Sequence, residues 1–384
     1  MRRAMQDERK LDVFIPGYIK DLVPYPPGKP LEELEREYGI KNAIKLASNE
    51  NPLGPSPKAC KAVEEALGKL HRYPDGSSYY LKNRLAARFN VSPGQIVLGN
   101  GSNELIEFMV RVLIRPGSEV ISSEPSFLVY RKAVQAVGGI NVVIPLKDNR
   151  HDLRAIKGAV TEGTRIIFLD NPNNPTGSVI DSEDICAFLA VLPDNIVVVF
   201  DEAYMEFVRN GATRSGLEFL KNDRRVVTLR TFSKAYGLAG LRIGYGIMDA
   251  ALAGYLERVR QPFNINSLAQ AGALAALDDD EHLDKTLKAT WEGLDFFYKA
   301  LDELGCTVLP SHANFLLVDV HSDAKKVYDD MLRHGVIVRA MNAYGFPRHI
   351  RITMGLPYEN ERCVEALRQV LANRQGGENN VQTA

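Results

Sequence analysis

Seven short apolar runs, near Ile96, Val120, Val142, Ile166, Val197, Val226 and Ile243, alternate with stretches of helical spacing between Asn49 and about Leu277. Runs of this length, rich in Val and Ile and bounded by polar or turn residues, read as strands buried on both faces. Their alternation with helices predicts an α/β domain built on a mostly parallel seven-stranded sheet wrapped by helices. Ligands of open α/β sheets bind outside the carboxyl ends of the strands. The residues at those ends are therefore the ones to read for chemistry.

Three strand ends stand out. Val226-Val227-Thr228-Leu229-Arg230 leads through Thr231 to Ser233-Lys234, with Arg242 eight residues beyond the lysine. A lysine at the end of a buried strand is placed for covalent chemistry, since its amine forms imines with carbonyls, and pyridoxal 5′-phosphate is the common cofactor that needs one. Ile196-Val197-Val198-Val199-Phe200 ends abruptly in Asp201-Glu202-Ala203-Tyr204. Asp201 fits an N-cap equally well as a group that keeps the cofactor's ring nitrogen protonated, because opposite charge at close range favours the charged form. Arg165 to Asp170 gives way to Asn171-Pro172-Asn173-Asn174-Pro175-Thr176-Gly177, whose prolines fix the backbone. Asn174 and Tyr204 would then donate to the ring's phenolic oxygen, and Lys234 would carry a proton to and from the substrate's α-carbon.

A phosphate needs a cradle of its own. Ile96-Val97-Leu98 runs through Gly99-Asn100-Gly101-Ser102-Asn103 into an apolar helical stretch, and a glycine turn that opens a helix presents free N–H groups to an anion. The dinucleotide pattern fails here, because its third glycine would fall at Glu104. Thr231, Ser233 and Arg242 supply the side chains a phosphate would want, with Arg242 able to bind bidentately. Phe127 is a candidate to stack on the ring, although an aromatic at that place also suits a core.

These motifs, in their observed order, resemble the class I/II group of fold-type I pyridoxal-phosphate-dependent aminotransferases. The likeness runs from Leu46-Ala47-Ser48-Asn49-Glu50-Asn51-Pro52 to Ile350-Arg351-Ile352-Thr353. It implies that Phe127, Asn174, Asp201, Tyr204, Ser233, Lys234 and Arg242 hold the cofactor, beside the Gly101-Ser102-Asn103 turn and Thr231 already read as its phosphate cradle. It further implies that Tyr73 reaches the phosphate of a neighbouring subunit's cofactor, so that the site belongs to a homodimer. Tyr25 would touch substrate from an N-terminal arm. Arg351 would clamp the α-carboxylate of glutamate, and Arg339 would receive the distal anion or substrate phosphate; both arginines also suit the wet face of a strand. The implied reaction exchanges an amino group between an amino-alcohol phosphate, L-histidinol phosphate, and 2-oxoglutarate. An aromatic amino acid substrate, a decarboxylase of the same fold and a non-catalytic binding protein of that fold are the alternatives.

The rest of the chain bounds this reading. At 384 residues the chain can bury a large core and divide. The expected division is an N-terminal arm and short helix over 1–48, a large cofactor-binding domain over 49–277 and a smaller C-terminal α/β domain over 278–384. Pro30 to Gly39 reads as a helix with proline at its start and glycine at its stop, and Gln375 onward is polar enough to fray. A formal net charge of -1 argues against a nucleic-acid partner. No apolar run approaches membrane-spanning length, and the charged first ten residues are not a secretory leader. The four cysteines are far apart and the histidines lack ligand spacing, which predicts reduced thiols in a cytoplasm and no structural metal.

Overall fold

The computed structural model describes residues 12–24 and 29–381, with side chains through residue 374. A two-residue strand, β1 (Ile44–Lys45), precedes seven strands that form one sheet: β2 (Ile96–Gly99), β3 (Glu119–Glu124), β4 (Ile140–Pro145), β5 (Thr164–Asp170), β6 (Val197–Asp201), β7 (Val226–Thr231) and β8 (Gly244–Ile247). Their spatial order is β2-β8-β7-β6-β5-β3-β4, and β8 alone runs against its neighbours. Successive side chains of a strand point to opposite faces, and here both faces are apolar. Ile167, Leu169, Val198 and Phe200 join one buried cluster, while Ile166, Phe168, Val199 and Leu229 join another. Each such side chain, fully buried, contributes about 1.5–3 kcal/mol, which is why these runs read as near-continuous apolar sequence.

A second core lies toward the C-terminus. It is built on an antiparallel sheet of β9 (Thr307–Val308), β10 (Phe315–Asp319), β12 (Arg339–Ala340) and β13 (His349–Thr353), in the order β12-β13-β10-β9. The sequence suggests one strand over 335–339, but the chain splits there. β11 (Val336–Ile337) pairs with β1, whereas β12 pairs with β13. Residues 31–47 pack on this second core. Leu34 of the helix Leu31–Tyr38 packs with Ala47, Leu332 and Ile337, and Ile44 and Leu46 join Phe297, Leu316 and Ile350. These apolar side chains need cover, and the C-terminal core supplies it. The helix Ser267–Ala276 packs on the helix Pro57–Ala66, and the 24-residue helix Asp280–Glu303 begins just beyond it. The last helix, Pro357–Val381, continues past Gln375. No helix among the described residues is long and apolar enough to cross a membrane.

Residues 12–24 lie on the surface near the helix Val129–Ala136, where Gln135 donates to the Tyr18 carbonyl (3.0 Å) and Lys132 donates to that of Val23. Val13, Phe14 and Val23 remain exposed.

The sheet sets the turn at Gly101 by close backbone approach. A methyl group at Gly244 would lie 2.7 Å from Gly101 C, 2.7 Å from Ser102 N and 2.8 Å from the Arg230 carbonyl oxygen, all backbone atoms that cannot swing aside. Gly244→Ala is therefore expected to lose about 1–3 kcal/mol, read from urea unfolding. Gly254→Ala, in a helix with nothing near the added carbon, is the control and should gain up to about 1 kcal/mol.

Candidate active site

Parallel β5, β6 and β7 end side by side, so their last residues and the loops beyond them open into one cavity of about 300 Å³. Its walls carry Gly101, Ser102, Asn103, Phe127, Asn174, Asp201, Tyr204, Thr231, Ser233, Lys234, Arg242, Arg339 and Arg351. Two residues singled out in the sequence are not among them. Tyr73 is 83% exposed on the surface, stacked on Phe263 with centroids 4.8 Å apart. Tyr25 lies outside the described residues.

Asp201 ends β6 and is buried. One carboxylate oxygen accepts from the Tyr130 hydroxyl (2.8 Å) and the other from the Ala203 N–H (3.2 Å). Burial pushes its carboxyl up to about 7, the nearby Asp170 adds to that, and the two hydrogen bonds pull the other way. Among the described residues no lysine, arginine or histidine forms an ion pair with it, although a buried carboxylate calls for one. Tyr204 stands two residues beyond Ala203's neighbour Glu202, its phenol accepting from Asn49 Nδ2 (2.9 Å) and driven by burial up to about 12.

Lys234 follows β7, and its Nζ donates to the Ser48 carbonyl (2.9 Å). Burial, then the positive charges of Arg351, Arg242 and Lys45, press its ammonium down to about 8 against a weaker pull from Glu50. Across the cavity the Asn174 amide oxygen accepts from Arg351 Nη1, which leaves its NH₂ free to donate, and Arg351 Nη2 reaches the Ala47 carbonyl (2.9 Å). Arg339 and Arg351 are direct cross-strand partners on β12 and β13, so both guanidinium groups stand on the same face of the small sheet.

At the other end of the cavity the helix Ser102–Leu113 starts at Gly101, whose φ is +74°. A methyl group there would meet Arg242 Nη2 at 2.6 Å, so glycine is needed both for the turn and for the approach of the guanidinium. The Thr231 and Ser233 hydroxyls are 2.9 Å apart, and Arg242 Nη1 lies 3.5 Å from Ser233 Oγ. N–H groups at a helix start, two hydroxyls and a guanidinium make an anion cup.

The cavity thus offers a cup for a phosphate, a buried carboxylate that lacks an ion-pair partner among the described residues, an amine of lowered proton affinity and an amide on the same wall. These groups fit pyridoxal phosphate, whose ring nitrogen would supply the missing positive charge beside Asp201. Sequence reasoning overlooked Tyr130, Asp170, Ser48, Asn49 and Tyr344, all of which line the same space. Asp170 had a visible signal, since it ends a buried strand just as Asp201 does. Tyr130 had a fainter one, three residues after Phe127 and so on the same side of a helical turn.

The chain is 51% identical over 369 residues to the histidinol-phosphate aminotransferase of Desulfotalea psychrophila, covering 95% of this chain and 97% of that one. It is 43% identical over 355 residues to that of Moorella thermoacetica, with 92% of each covered. Among solved structures it is similar to the histidinol-phosphate aminotransferase from Sinorhizobium meliloti in complex with pyridoxal-5′-phosphate. That likeness has a TM-score of 0.86 and 32% identity over 94% of this chain and 98% of that one.

An amine held near 8 reacts as a neutral nucleophile at lower pH than an ordinary lysine. Labelling of Lys234 by an amine-directed arylating reagent in cofactor-free protein should rise with pH and reach half its maximal rate at about 8, by peptide mass analysis. Surface lysines should lag by about two pH units. The sequence pattern described as aminotransferase class I and II matches residues 41–367, and the chain belongs to that family.

Proposed function

We propose that this chain forms a cytoplasmic homodimer that transfers an amino group between L-histidinol phosphate and 2-oxoglutarate, using pyridoxal phosphate held at Lys234. The observation that carries the reading is the side-by-side pair Arg339 and Arg351, facing the cavity that holds Lys234 and Asp201. Relatives at 43–51% identity named for that substrate support it.

When bound, the cofactor's ring accepts the electron pair released at the substrate's α-carbon. The protein does the rest. Asp201 would keep the ring nitrogen protonated, and Tyr204 and Asn174 would donate to the ring oxygen. Lys234, whose lowered proton affinity leaves a minor but larger-than-usual share of it neutral near physiological pH, would take the proton from the α-carbon and deliver it two bonds away, across the amino nitrogen. Arg351 would hold the carboxylate of glutamate and so fix the orientation of the α-carbon. Held by its carboxylate, the substrate would present its C–H bond rather than its C–carboxylate bond for cleavage, which favours amino transfer over decarboxylation. Arg339 reads the second anion, the phosphate of one substrate or the distal carboxylate of the other.

A dimer suits the exposed aromatic pairs Tyr73–Phe263 and Tyr79–Tyr80, since exposed aromatic side chains gain from cover. The four unpaired cysteines suit a reducing compartment.

With one amino acceptor, kcat/KM for histidinol phosphate should exceed that for phenylalanine or tyrosine. Arg339→Ala should erase about tenfold to a hundredfold of that lead, the worth of one charge-assisted hydrogen bond. An aromatic amino acid in first place, or an unchanged ratio in the variant, would overturn the assignment of the phosphate. Sedimentation should show a dimer, and Tyr73→Ala should bind pyridoxal phosphate about tenfold more weakly; a fully active monomer would remove the inter-subunit role.

A further inference from the structure

From the cavity wall at Asp170 inward, three buried side chains form a chain of hydrogen bonds. His151 Nδ1 lies 2.7 Å from Ser123 Oγ, and its Nε2 lies 3.0 Å from the Asp170 carbonyl oxygen and 3.3 Å from Asp170 Oδ1. Ser123, His151 and Asp170 are 2%, 9% and 3% exposed. Both neighbours of Nε2 are acceptors, so that nitrogen carries a hydrogen, while a serine hydroxyl can donate or accept and satisfies Nδ1 either way.

The Asp170 end of this chain grips two turns. Asp170 Oδ1 accepts from Ser126 Oγ (2.7 Å) and Asn173 Nδ2 (3.1 Å), and Oδ2 accepts from the Asn174 N–H (2.8 Å). Ser126 immediately precedes Phe127, and Asn174 is the residue whose amide meets Arg351. One carboxylate therefore holds the loop after β3 and the loop after β5 in a fixed relation. It also stands in register with Asp201 on the adjacent strand. We propose that Ser123, His151 and Asp170 are positioning residues of the active site, fixing Phe127 and Asn174 about the cofactor ring. The proposal rests on the pyridoxal phosphate reading above and deepens it. None of the three reaches the reacting atoms; they act through the two turns.

Asn at position 170 keeps the shape but replaces one accepting oxygen with an NH₂ group, which would face donors already pointing at it. At least one turn must then lose its hold. In Asp170→Asn, titration of cofactor-free protein with pyridoxal phosphate, followed by absorbance, should give a Kd about tenfold higher, or about 1.4 kcal/mol. KM for glutamate should rise by a similar factor, because Asn174 also meets Arg351, and kcat should change less. His151→Gln keeps a donor without bridging serine and carboxylate, and should move both constants about threefold. Should Asp170→Asn fail to fold, Ser123→Ala removes a single hydroxyl and carries the test with a change of about threefold.

Melting temperature is the control. Kd and KM within about twofold of the parent, with only the melting temperature lowered, would reduce the three residues to packing and overturn the proposal. Borohydride treatment separates the two layers. Parent protein that takes up pyridoxal phosphate and is fixed at Lys234, with unaltered variants, sinks the positioning role alone. Parent protein that takes up none sinks both.

Discussion

A carboxylate buried at a strand end with hydrogen-bond donors but no cation is the constraint around which this molecule is arranged. Isolated burial of that charge is costly, and among the described residues Asp201 meets a phenol and one amide N–H. Its proton affinity rises accordingly. The parallel sheet brings it there, because neighbouring strands with crossover connections all end on the same side. Lys234, with its proton affinity lowered, is reached from the next strand, so acid and amine are displaced in opposite senses within one cavity. Opposed shifts of this kind mark where a protein has arranged proton transfer.

The large sheet was legible because its signal is local. Each strand is a short β-branched run, and each of Asn174, Asp201 and Lys234 follows such a run at a break in the pattern. The cavity indeed gathers them. The position of Arg242 was legible for the same reason, through the small-residue loop after Lys234. What the sequence hides are relations across long separations. Nothing local says that Arg339 and Arg351 pair in register, since that depends on how β12 meets β13. Nor does it say that residues near 49 meet residues near 353, which are 304 positions apart.

Long separation also hides where the residues before Ser48 pack. Proline and charge near the start read as an arm, and the helix Leu31–Tyr38 has cap signals at both ends that make it look self-contained. Its single buried residue, Leu34, gives too small an apolar face to declare a partner. The partner is the C-terminal core, and β1 is joined to it by parallel pairing with β11. A two-residue strand carries almost no sequence signal, yet here it anchors the segment leading into the cavity.

That segment has a mechanical consequence. The Ala47 carbonyl accepts from Arg351, the Ser48 carbonyl accepts from Lys234, and the Asn49 side chain donates to the Tyr204 hydroxyl. Three successive residues, a span of about 10 Å, thus bind a guanidinium of one core to an amine and a phenol of the other. Like a shared axle, this strip transmits any tilt of the C-terminal core to all three groups at once, so neither half of the molecule can shift without the other registering it.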